Sequence, residues 1–119
     1  MLLQTNAYSV PFDRRDTHAR LVKRMQDAMR RIGANVEVYE QVGPAFSPAE
    51  EATGRYVQVI RFRDRRHLVA VQAAEKSDPV LQSIIAEFVV LVDLAGQQAA
   101  GTYLPGYYSA VTPADGSGE

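Results

Sequence analysis

The chain has 119 residues, 46% of them hydrophobic, a formal net charge of −1 and no cysteine. That length suits one domain, the apolar content supports a real core rather than disorder, and the near-neutral charge gives no overall pull toward nucleic acid or acidic lipid. Without cysteine there is no disulfide framework, thiolate nucleophile or thiolate metal site, which fits a cytoplasmic location.

The opening stretch MLLQTNAYSV lacks the basic flank and apolar run of a signal peptide. No stretch approaches the ~20 apolar residues that span a bilayer, so a soluble protein with no membrane partner is expected. Leu2 to Val10 reads as a strand ended by Pro11. A helix follows, with Asp13 expected as its cap and Asp16 in its first turn. Leu21, Val22, Met25, Ala28, Met29 and Ile32 recur at helical spacing, and Gly33 supplies the stop. Val36 to Val42 is a second strand, and a loop through Pro44, Ser47 and Pro48 leads to Gly54.

Arg55 to Arg63 is a third strand. Val57, Val59 and Arg61 share one face, while Tyr56, Gln58, Ile60 and Phe62 share the other, so both faces carry large apolar groups. A helical region from about Asp64 to Asp93 is interrupted at Asp78-Pro79, where Asp78 is expected to cap a fresh helix with Pro79 at its first position. Leu68, Val71 and Ala74 line the first piece. Ile84, Ile85, Phe88, Val89 and Val92 make the second apolar over a broad arc. Gln97-Gln98 reads as a polar link, Tyr103 to Val111 as a last strand broken by Pro105-Gly106, and Pro113 to Glu119 as a flexible tail.

The order β-α-β-β-α-β predicts a ferredoxin-like α+β domain over residues 1–112: a four-stranded antiparallel sheet with both helices on one face. Tyr8, Ile60, Phe62 and one of Tyr107 or Tyr108 are expected on the opposite face. A soluble monomer rarely leaves such an apolar face wet, so a homodimer with sheet facing sheet is expected.

The segment GRYVQVIRFRDRRHLVAVQAAEKSDPVLQSIIAEFVVLVD, Gly54 to Asp93, with its Ser77-Asp78-Pro79 break, resembles the dimeric α+β barrel superfamily, especially its NIPSNAP-like and antibiotic-biosynthesis-monooxygenase-like members. The resemblance implies a homodimer enclosing a cavity, and an enzyme acting on a small aromatic or apolar compound. It implies no cofactor for this chain: His18 and His67, its only histidines, match no axial haem pattern, and no catalytic residue carries over.

The residues themselves offer a ligand-binding set of Asn6, Tyr8, Tyr39, Gln58, Arg61, His67 and Tyr108. An enclosed Gln58 needs partners for its amide, from a small molecule, from protein across an interface or from water. Asn6 and Tyr39 extend that polar set, and Tyr8 and Tyr108 add rings and hydroxyls. Arg61 can meet a carboxylate at a strand end, alternatively forming part of a solvated basic corner. His67 offers an imidazole as general base or ligand contact, alternatively only pairing with local groups at its helix start. No metal-ligand spacing is present. The third strand, Arg55 to Phe62, lacks the internal glycine and ring spacing of RNA-recognition domains, so no nucleic-acid partner is expected. The alternative function is a dimeric binding or structural module without catalysis.

Overall fold

The computed structural model describes residues 1–43 and 52–111; part of the loop before Gly54 and the tail at 113–119 lie outside them. Four strands, β1 (Leu2–Ser9), β2 (Val36–Val42), β3 (Ala52–Phe62) and β4 (Leu104–Ser109), form one sheet in the order β2-β3-β1-β4. Every neighbouring pair is antiparallel. The helices are α1 (Arg15–Arg31), α2 (Arg65–Ser77), α3 (Pro79–Val92) and α4 (Leu94–Ala100). This is the ferredoxin-like α+β arrangement expected from the element order, with one added helix. No single helix among the described residues is long and apolar enough to cross a membrane.

The local chemistry explains most boundaries. Gly33 takes φ +91° just past α1, a conformation that costs a side chain but not glycine. Asp78 accepts hydrogen bonds from Val80 N and Leu81 N, and Pro79 opens α3 as expected. Asp13 does not cap α1. A 3₁₀ turn at Phe12–Arg14 intervenes, and the helix starts at Arg15 without a side-chain cap. The Gln97-Gln98 link is also helical: Asp93 turns the chain left-handed at φ 51° and its carboxylate accepts from Gly96 N, starting α4. A Cβ at Gly96 would run into that carboxylate. Gln97 then clamps the end of β1, its Oε1 accepting from Ser9 N at 2.9 Å and its Nε2 donating to Ser9 O at 2.8 Å. Pro105-Gly106 does not break β4, which is an edge strand where proline is tolerated.

The sheet faces correct the sequence reading. Tyr8, Ile60 and Phe62 lie under the helices, in one core with Leu21, Val71, Leu81 and Ile84. Register places Leu2, Gln4, Asn6, Val36, Val38, Tyr56, Gln58 and Tyr107 on that same face. The open face carries Leu3, Thr5, Ala7, Tyr39, Val57, Val59, Arg61, Leu104 and Tyr108. The sheet is apolar on both sides, but the valines of β3, not its isoleucine and phenylalanine, face outward.

Candidate functional site

The helix-facing side of the sheet is not filled everywhere. Asn6 of β1 stands directly opposite Gln58 of β3 in the strand register, and Asn6 Nδ2 donates to Gln58 Oε1 at 3.2 Å. Gln58 is only 9% exposed. Its Nε2 donates to the Met25 sulfur of α1 at 3.1 Å. A thioether is a weak acceptor, so this buried amide N–H has a poor partner. The pair floors a cavity of about 180 Å³ between the sheet and the helices, walled by Met25, Glu75, Phe88 and Tyr103.

Glu75 is the group that sequence reasoning missed. It sits one turn beyond Val71 on α2 and lines the cavity. No hydrogen bond or ion pair to its carboxyl group forms among the described residues. Burial therefore raises its proton affinity above that of an ordinary glutamate. The spacing Leu68, Val71, Glu75 was the available signal: a carboxylate in the apolar stripe of an amphipathic helix.

Tyr8 borders this region without lining it. Its ring meets Phe88 edge-on, with centroids 4.9 Å apart, and its hydroxyl shares a 2.8 Å hydrogen bond with His18 Nε2 of α1. Burial raises the Tyr8 phenol beyond its usual range, with neighbouring Tyr56 and Tyr103 adding to the effect. His18 faces a second, wider groove of about 600 Å³ that also contains Tyr56, Arg15 and Glu40. Arg15 meets Glu40 Oε1 at 3.2 Å, while Glu40 Oε2 is buried without a partner among the described residues.

His18 is 3% exposed, and burial lowers its proton affinity below that of an ordinary imidazole, with Glu40 opposing the shift. The unfolded chain therefore takes up this proton first as pH falls. The stability tied to neutral His18 is complete above about pH 6.5 and is lost toward the depressed folded value, at up to ~1.4 kcal/mol per pH unit. Urea unfolding compared at about pH 7.5 and about pH 5.5 is expected to show that decline. His18→Gln, which keeps a partner for Tyr8 but cannot titrate, is expected to flatten it. An unchanged slope would assign the titration to another group.

The other sequence candidates lie elsewhere. Tyr39 and Arg61 are on the open face, where the Tyr39 hydroxyl donates to the Glu37 carboxylate and Arg61 Nε donates to Glu37 at 2.9 Å. Both bonds hold the Glu37 carboxyl below its usual range. Tyr108 is also on the open face, its ring against Gly106. His67 is a local clasp: Nδ1 accepts from Arg63 N at 3.1 Å and Nε2 bonds Gly33 O at 2.8 Å. The structure thus brings together Asn6 and Gln58, places Tyr8 one residue layer away, and separates the remaining four from the cavity.

Comparison with solved structures gives this architecture a context. The chain is similar to Rv0793 of Mycobacterium tuberculosis, at 16% identity, a TM-score of 0.62 and coverage of 95% of this chain and 97% of that one. It is similar to an uncharacterized NIPSNAP domain protein of Burkholderia xenovorans, at 12% identity, TM-score 0.63 and coverage of 95% and 99%. The fold is the one these proteins share. An antibiotic biosynthesis monooxygenase matches as well, at 12% identity, TM-score 0.60 and coverage of 93% and 99%. The resemblance drawn from Gly54 to Asp93 therefore holds at the level of the fold. No protein-family model matches the sequence, and no curated protein does.

Proposed function

We infer that this chain forms a homodimeric α+β barrel that binds a small, partly apolar molecule, in the manner of a NIPSNAP-like or monooxygenase-like enzyme. The observation that carries the reading is the Gln58 amide: buried, at a cavity wall, with an N–H spent on a thioether. A ligand oxygen would be a better acceptor and would supply the hydrogen bond a buried amide ordinarily has. A cavity of about 150 Å³ accepts benzene, so the 180 Å³ here suits a ligand built around one ring. The neighbours named NIPSNAP and antibiotic biosynthesis monooxygenase support an enzyme among folds of this kind. The dimer is supported by the open sheet face, where Leu3, Ala7, Val57 and Val59 form an apolar strip edged by half-exposed Tyr39, Leu104 and Tyr108.

A thermal-shift screen of single-ring phenols and ketones tests the cavity. Wild type is expected to give hits that raise the midpoint, because a ligand held only by the folded state stabilises it. Gln58→Leu is expected to bind the same hits roughly 3- to 10-fold more weakly, the value of one ordinary hydrogen bond. A screen without hits, or hits indifferent to the substitution, would end the reading.

A further inference from the structure

We propose that Glu75 is an acid–base catalytic residue of this cavity, removing a proton from the carbon beside a ligand carbonyl whose oxygen is held by the Gln58 and Asn6 amides. The inference rests on the ligand reading of the cavity and adds to it a substrate class, small carbonyl compounds with an acidic α-carbon, and a reaction type, redox-neutral proton transfer.

The argument begins with what the cavity contains. Its floor offers amide N–H donors from two facing strands, and its wall offers a carboxylate from α2. An ion buried without a partner is costly, and proteins ordinarily pair it or leave it out. Glu75 has no partner for its carboxyl group among the described residues and is half-buried at the cavity wall, so its charge is only partly hydrated. The surrounding Met25, Ile60, Leu81 and Phe88 are apolar and weaken the hydration of its charge. A carboxylate in that setting is a stronger base than one in water, and a desolvated carboxyl in a cleft marks a candidate site for proton transfer.

The step balances without a co-reactant. The Glu75 carboxylate forms an O–H bond as the substrate α-C–H bond breaks. The C–H electron pair becomes the carbon–carbon double bond of an enolate, and the carbonyl π pair moves onto oxygen. Gln58 and Asn6 N–H groups donate to that oxygen, whose charge is larger in the transition state than in the ground state. Once the Glu75 carboxyl has traded its proton with solvent, delivery of the solvent-derived proton to the same carbon exchanges it; delivery to a conjugated carbon isomerises the substrate.

The test uses 2-indanone, a compact ketone with acidic α-protons, with the full chain. Chemical shifts of the Asn6 and Gln58 side-chain amides in H2O buffer report binding, and loss of the ketone α-proton signal in D2O reports exchange. Wild type is expected to bind and to accelerate deuteration by about 100-fold or more over buffer. The rate should climb with pH through a midpoint above the ordinary carboxylate range, because the charged form is the base and burial raises its proton affinity. Glu75→Gln, equal in size, is expected to bind equally and to fall to the buffer rate. Binding without acceleration, or acceleration that survives Glu75→Gln, overturns the assignment and leaves the cavity reading intact. No shift at either amide overturns the cavity reading itself.

Discussion

Phe62→Ala is expected to lower the free energy of unfolding by about 3–5 kcal/mol, the range for truncating a fully buried phenylalanine. Phe62 is 1% exposed in a single subunit, where it packs in the core and meets the His67 ring edge-on at 5.5 Å. Its burial owes nothing to a second copy. The loss should therefore be independent of protein concentration in urea unfolding. Arg61→Ala, one residue earlier and on the opposite face, removes only an exposed ion pair to Glu37 and should cost less than about 1 kcal/mol of subunit stability. If Phe62→Ala instead matters only at concentrations where chains associate, the sheet has been placed the wrong way round.

The second large effect concerns the open face. If the proposed dimer forms, Val59→Asp is expected to convert it to a monomer in light scattering, weakening association on the order of 100-fold or more. A two-fold axis brings each new carboxylate into an apolar interface together with its symmetry mate, and like charges meeting at an interface cost several kcal/mol. Val59 lies between Val57 and Arg61 on the outward side of β3, opposite Thr5 and Glu37. The monomer should keep its fold, because the core beneath the helices is untouched. A wild-type chain that runs as a monomer, or a variant that stays dimeric, would remove the case for sheet-to-sheet pairing.

These two residues also show where sequence reasoning stops. Alternation in β3 separates Val57 and Val59 from Ile60 and Phe62 without ambiguity. It cannot say which set the helices cover, because both are apolar and the choice depends on the path the chain takes after Phe62. The element order was readable because its punctuation is chemical: Gly33 ends one helix, and Asp78-Pro79 starts another. α4 was not readable, since Leu94–Ala100 has no strong apolar period and its start depends on the left-handed turn at Asp93. In the site, Asn6 and Gln58 were picked out because amides on an apolar strand face need partners. That they face each other is a matter of register, and that they face helices is a matter of tertiary packing. Glu75 was not singled out, because a single glutamate in a helix is ordinarily a solvated charge and its place at the cavity wall depends on tertiary packing. Tyr39 and Tyr108 were grouped with the amides by residue type alone, and the pleat sends them to the other side of the sheet, the side on which alternation in β3 already put Arg61.

The Gln97 clamp decides which side of the cavity can open. Leu94 of the same short helix lines the cavity, and Gln97 holds that helix to both backbone groups of Ser9 and, at 2.6 Å, to Val92 O. Lifting this wall would strip the last rung from the strand that carries Asn6. The α3 part of the lining has no such clamp among the described residues: Ile85 and Val89 line the cavity yet keep 42% and 38% of their surface exposed. A ligand of the proposed kind would enter beneath these two side chains, a greasy threshold that favours uncharged molecules over ions.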